Sequence, residues 1–126
     1  MFKIAGIDHV VLRTTKLNEM KAFYCDILGC EIEREQPAFG LTQLRAGDSL
    51  IDLLVIKPVD KKDGRNMEHF CLRVQSFDYP VIQEYFAKHH IDIYRYGERY
   101  SSLGLGPSFY LHDPEGNEIE LTALKA

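Results

Sequence analysis

Two histidines of this chain stand in matching surroundings. Residues 8–13 read Asp-His-Val-Val-Leu-Arg and residues 68–73 read Glu-His-Phe-Cys-Leu-Arg, so an acid, His, two apolar positions, Leu and Arg recur 60 residues apart. A second echo sets Ile51-Asp52-Leu53 against Ile119-Glu120-Leu121, 68 residues further on. Both echoes come in the same order, as an internal duplication requires. Imidazole and carboxylate together suit a divalent first-row metal, and two His with one carboxylate leave positions open for a substrate. Taken singly, a strand histidine is more often structural than a ligand. Asp52 is harder to set aside. A carboxylate inside the apolar run 50–56 is costly to bury unless it is paired or holds a metal.

Strand side chains alternate between faces, and this decides which groups can meet. His9, Val11 and Arg13 point together, as do His69, Cys71 and Arg73. Asp52 goes with Leu50 and Leu54, and Glu120 with Glu118 and Thr122. If the halves pack as pseudo-symmetric sheets, His9, Asp52, His69 and Glu120 converge on one cleft. Glu118 shares the face of Glu120, so the pattern alone leaves both, and the match to Asp52 favours Glu120. Arg13 and Arg73 then lie where a guanidinium can clamp a substrate carboxylate, with an ion pair to Glu118 or another acid as the plainer alternative. Tyr110 can donate to a substrate oxygen or simply pack. Cys71 reads as a small buried filler and His112 as structural. His89-His90 reads as a helix end favoured by the dipole.

The elements that must position these groups follow from periodicity. Residues 7–14 form a strand, and a helix over 17–28 buries Leu17, Met20, Phe23, Tyr24, Ile27 and Leu28, with Gly29 as its cap. Strands follow at 30–35, 39–46 and 49–56. The second half repeats the order, with a strand at 67–75 and a helix capped by Ser76 or Asp78 running to about 89. Pro80 is tolerated in that helix's first turn, and Val81, Tyr85, Phe86 and His89 form its expected buried stripe. Strands at 91–96, 107–112 and 117–122 close it, the last two joined by the turn Asp113-Pro114-Glu115-Gly116. Residues 98–106, with Gly104 and Gly106, read as an exposed loop or a flap. The fold class is α+β, with module one at 1–57, a polar linker at 58–65 and module two at 66–126.

With 126 residues, 45% hydrophobic and 27% charged, the chain is one ordinary globular domain. Its 15 basic and 19 acidic residues give a net charge of −4, which argues against a nucleic-acid partner. The densest basic cluster, Lys61-Lys62 near Arg65, is interrupted by Asp60 and Asp63. No apolar stretch is long enough to span a membrane, and the first six residues do not resemble a secretory signal. Cys25, Cys30 and Cys71 form no Cys-x-x-Cys pair, so reduced thiols and a cytoplasmic location are expected.

On these residues the sequence resembles the vicinal oxygen chelate superfamily, which includes glyoxalase I, extradiol dioxygenases and bleomycin- and fosfomycin-resistance proteins. The likeness rests on Asp8-His9-Val10-Val11-Leu12-Arg13, Phe23-Tyr24-x-x-x-Leu28-Gly29, Glu68-His69 and Asp113-Pro114-Glu115-Gly116-Asn117-Glu118-Ile119-Glu120-Leu121. It implies paired βαβββ modules forming an open cup-shaped mixed sheet with helices outside, around one divalent metal, in a homodimer. His9, His69 and Glu120 match the family's ligands. Asp52 stands where glyoxalase I has Glu or Gln, one methylene longer. The implied activity is proton transfer between adjacent carbons of a small chelated substrate, with Glu120 and Asp52 as the catalytic carboxylates and Arg13, Arg73 and Tyr110 binding substrate. Nickel, zinc, manganese, cobalt and iron all suit the ligands. The chain departs from the glyoxalase I helix signature at Thr14, Glu19, Met20 and Cys30. Two alternatives stand beside this. An extradiol-type dioxygenase would want a histidine where Ser101-Ser102-Leu103 stands, and a metal-free sequestering protein would lack the ligands that this chain retains.

Overall fold

A computed structural model describes residues 7–58 and 67–124. The chain divides into two compact units, Met1–Asp63 and Gly64–Ala126. The expected linker 58–65 lies, apart from Pro58, outside the described residues.

In the first unit β1 (His9–Thr14) leads into α1 (Leu17–Lys21), which continues without a break through a wider π-type stretch, Ala22–Ile27. Gly29 ends it at φ +82, and the amides of Gly29 and Cys30 close back on the carbonyls of Cys25 and Tyr24. A left-handed glycine is the usual way to satisfy those last carbonyls. Then come β2 (Glu31–Gln36), a single 3-10 turn (Pro37–Phe39), β3 (Leu41–Ala46) and β4 (Ser49–Val55). The sheet order is β1-β4-β3-β2, with β1 parallel to β4 and the other pairs antiparallel.

The second unit repeats the plan: β5 (Phe70–Val74), α2 (Tyr79–Lys88), β6 (Tyr94–Ser101), β7 (Gly104–His112) and β8 (Glu118–Ala123), in the order β5-β8-β7-β6. Each unit is thus a βαβββ module with an open four-stranded mixed sheet, and the fold is α+β as expected. The duplication holds to the register. The pair Val11↔Asp52 in the first sheet and the pair Cys71↔Glu120 in the second are related by the same offsets of 60 and 68 that the sequence echoes show.

One face of each sheet makes a core. Leu12, Leu44, Ile51 and Leu53 share a face in the first unit and are buried, as are Met20, Phe23 and Tyr24 of its helical segment. In the second, Phe109, Leu111, Ile119 and Leu121 are buried, and Phe109 meets Phe77, Tyr79 and Phe86 with ring centroids 5.7–5.9 Å apart. The opposite face carries His9, Arg13, Gln43 and Asp52 among aliphatic side chains in the first sheet, and is mainly polar in the second.

Two expectations are corrected. The buried stripe of α2 is narrower than Val81, Tyr85, Phe86 and His89. Val81 is 60% exposed, Tyr85 40% exposed and His89 exposed, and Phe86 alone is buried. A face set by Phe86 and the half-buried Ile82 turns Val81 and Tyr85 away from the sheet, since each residue step rotates the helix by about 100°. Residues 98–106 are not an irregular loop. β6 and β7 pair through them, Glu98↔Pro107 to Ser101↔Gly104, so the glycines serve a hairpin. Elsewhere the ends differ by a residue or three. The cap of α2 is Asp78, whose carboxylate accepts from the Val81 amide at 3.4 Å, and Ser76 instead takes a left-handed φ of +53. The turn after β7 is as expected. Asp113 accepts from the amides of Glu115 and Asn117 and from the Asn117 side chain at 2.8–2.9 Å.

These placements separate core from surface where α2 meets its sheet, with Phe109 of β7 in the core and Val81 of α2 outside it. Phe109→Ala should cost about 3–5 kcal/mol in urea unfolding, whereas Val81→Ala should stay within about 0.5 kcal/mol.

Candidate functional site

The polar face of the second sheet is organised around Glu120. Its strand, β8, lies between β5 and β7, and the register sets Cys71 on one side of Glu120 and Tyr110 on the other. A carboxylate 9% exposed needs donors. The Tyr110 hydroxyl donates to it, and the Cys71 thiol, which donates to the Leu72 carbonyl, lies beside it. His69, one residue before β5, brings Nε2 to 3.3 Å from Glu120 Oε1. Its other ring nitrogen, Nδ1, donates to Glu68, and its ring meets the Tyr110 ring edge-on at 5.4 Å. Glu68 therefore orients the ring so that Nε2 is the nitrogen presented to Glu120.

The first sheet holds a parallel arrangement of simpler chemistry. Asp52, 4% exposed, pairs in register with Val11 and with Gln43. The Gln43 amide nitrogen lies 3.3 and 3.4 Å from its two oxygens. His9 donates from Nδ1 to Asp8 at 2.8 Å, as His69 does to Glu68. That hydrogen bond is the main cause raising the His9 pKa above its ordinary value; desolvation opposes it, and the charges of Asp52 and Asp8 add to it.

Of the residues singled out from sequence, His69, Glu120 and Tyr110 form one cluster in the second unit, and His9 and Asp52 lie on the face of the first sheet opposite its core. Among the described residues no group of three or more His, Cys, Asp or Glu side chains forms a metal-holding set. Arg13 and Arg73 are exposed on the faces expected for them. Neither pairs with Glu118, which binds Arg95 instead. Cys71 is exposed as a residue, yet partial burial of the thiol and the neighbouring charge of Glu120 push it up to about 12, which suits a hydrogen-bond donor and not a nucleophile.

Several members of these clusters were not singled out from sequence. The acids at 8 and 68 were visible in the repeat, but their role as partners of Nδ1 shows only in the geometry. Gln43 carries no pattern of its own. Arg95 and Arg99 approach the Tyr110 ring, their guanidinium carbons 4.3 and 5.0 Å from its centroid. No periodicity could have placed Arg95 there, because β6 is irregular at that point.

The comparisons with known proteins agree with the fold and the repeat. The family model of the Glyoxalase/Bleomycin resistance protein/Dioxygenase superfamily matches residues 6–121, and the chain belongs to this superfamily. Among curated proteins it is similar to a trivalent organoarsenical cleaving enzyme from Bacillus sp. (strain MD1), 27% identical over 114 residues, covering 89% of this chain and 69% of that protein. Among solved structures it resembles an integron cassette protein from the mobile metagenome of V. cholerae, with TM-score 0.79, 22% identity and 99% of each chain covered. It also resembles lactoylglutathione lyase from Agrobacterium tumefaciens, with TM-score 0.68, 23% identity, and 95% of this chain and 94% of that one covered. A genomically encoded fosfomycin resistance protein from Listeria monocytogenes superposes with TM-score 0.73 at 20% identity, covering 98% of this chain and 96% of that one. Among the described residues no helix is long and apolar enough to cross a membrane.

The Glu120 network predicts thiol reactivity. At pH 8 Cys71 should alkylate far more slowly than an exposed peptide thiol, followed by mass spectrometry. Glu120→Gln should speed it, because removing the carboxylate charge lowers the thiol pKa and raises the thiolate fraction. An unchanged rate in the folded variant would show that Glu120 does not act on this thiol.

Proposed function

We propose that this protein is a divalent-metal-dependent enzyme that acts on a small substrate held through adjacent oxygens, by proton transfer of the glyoxalase kind. The carrying observation is the His69–Glu120 pair. Its 3.3 Å separation is longer than a charge-assisted hydrogen bond, about 2.7–2.9 Å. It falls within the about 3.0–3.4 Å expected between neighbouring donors that each sit about 2.1 Å from one cation. With Nδ1 held by Glu68, a neutral His69 offers its Nε2 lone pair on that side. His9, oriented in the same way by Asp8, is the third donor, and Asp52 is a fourth, directly or through water. Nickel, zinc, manganese, cobalt and iron(II) all suit this set. When bound, the cation would supply the Lewis acidity that polarises substrate oxygens and acidifies an adjacent C–H.

The remaining chemistry belongs to the chain. Glu120 takes the proton from one carbon and returns it to the next, with Asp52 as the assisting carboxylate. Tyr110 holds Glu120 in place, and its hydroxyl also lies on the face where a substrate oxygen would be bound. Arg13 and Arg73, exposed and each four residues along the chain from its histidine, would hold a substrate carboxylate. The reading includes a cytoplasmic homodimer, supported by superfamily membership and by three free cysteines.

A second reading is cleavage of a trivalent organoarsenical, favoured by the likeness to the Bacillus enzyme across 89% of this chain. Ring-opening dioxygenase chemistry has less support, because Ser101-Ser102-Leu103 supplies no imidazole. A metal-free sequestering role has less still, given the paired His69 and Glu120.

Protein purified without chelator should carry about one divalent metal per chain by elemental analysis. His69→Ala and Glu120→Gln should lose most of it, and Asp52→Asn should retain more than either. Full stoichiometry in His69→Ala would mean that the ligands are misassigned. Loss of hemithioacetal absorbance, release of inorganic arsenic and oxygen uptake with catechols then separate the three reactions, and sedimentation reports the dimer.

A further inference from the structure

The polar face of the second sheet carries two cations that the metal reading leaves unused. β6 loses its alternation at Arg95, where φ is +53 and the register to β7 slips between Tyr94 and Gly97. A non-glycine residue in that conformation is strained and persists only where its surroundings hold it. The slip has a clear consequence. Tyr94 and Arg95, consecutive in sequence, both lie against the Tyr110 ring, while Tyr96 stacks on Tyr79 of α2 at 3.8 Å. The strained residue thus adds a positive charge to the polar face.

The two guanidiniums differ in what neutralises them. Arg95 is paired with Glu118. Arg99 meets no carboxylate among the described residues. It is half-buried and held through Nη1 alone, which donates to the carbonyl and hydroxyl oxygens of the buried Ser108 at 3.3 and 3.0 Å. Its Nε–Nη2 edge has no acceptor among the described residues, and that edge takes a carboxylate or phosphate in two parallel hydrogen bonds. This cation and the metal-facing pair have one aromatic ring as a common neighbour. Tyr110 lies 5.0 Å from the Arg99 guanidinium carbon and 5.4 Å from the His69 ring, and its hydroxyl donates to Glu120.

We propose that Arg99 is the receptor for an oxyanion group of the ligand, a carboxylate or a phosphorus oxyanion, with Arg95 as the supporting cation. The substrate is then a small acid whose anionic group and whose oxygens facing His69 and Glu120 both border the Tyr110 ring. Only that second statement rests on the metal reading; the anion site stands on the arginines themselves.

The test uses the metal-free full chain, titrated separately with inorganic phosphate and with acetate while the arginine Nε–H resonances are followed by NMR. The Arg99 resonance should shift saturably with at least one anion, phosphate alone indicating a phosphorus oxyanion and acetate alone a carboxylate. Arg99→Gln should weaken binding about tenfold or more and Arg99→Lys less. Arg45→Gln, at an arginine paired with Glu33 in the first unit, should leave it unchanged. No saturable shift at Arg99 with either anion overturns the proposal, as does unaltered affinity in a folded Arg99→Gln. Should that variant not fold, the wild-type resonance decides. A folded His69→Ala should keep the anion site. Arg99-dependent binding in a protein that never acquires metal would sink the metal reading and leave this one standing.

Discussion

An acid on an inner strand, almost wholly out of water, is the constraint on which each half of this protein depends. Asp52 and Glu120 are each flanked in sequence by Ile and Leu whose side chains point the other way, into the core. The period of two makes both facts one fact, since a register slip of one residue would put the carboxylate into the apolar layer. Burial then demands donors at the same level of the sheet. Gln43 supplies one beside Asp52, and Tyr110 supplies one beside Glu120. Helix packing on one face and a carboxylate network on the other are therefore two consequences of one alternation.

The histidines obey a related rule. Each follows an acid that accepts from its Nδ1, so the ring is oriented before any ligand arrives. Orientation of this kind lowers the entropy that binding must still remove. Its completeness differs between the halves. In the second unit the imidazole reaches the buried carboxylate and a tyrosine ring stands beside it, with two guanidiniums on that ring. In the first, a neutral amide takes the tyrosine's place. Duplication preserved the frame while the faces opposite the two cores diverged.

Much of this was legible. The recurrence of acid-His and of Ile-acid-Leu located both strands of each parallel pair, and its two offsets survive as the ladder register. Gly29 and the Asp113 turn were readable because left-handed glycine and Asx side chains have few other uses. The stripe of α2 was misread because Val81, Tyr85 and His89 have helical spacing too, and periodicity cannot say which of two adjacent apolar faces is covered. The hairpin at 98–106 was misread because glycines that permit a loop also permit a tight turn between paired strands.

From its sequence alone this chain determined its two modules, its superfamily and the identities of the buried acids, since these depend on local alternation and on residues repeated at fixed spacing. Tertiary structure decided which groups surround those acids. Gln43, Tyr110, Arg95 and Arg99 come from strands whose sideways register no local pattern encodes, and Arg95 reaches its place through an irregularity that breaks the pattern. Hydrogen bonding between strands, which couples residues distant in sequence, is the physical reason that these partners are set only on folding.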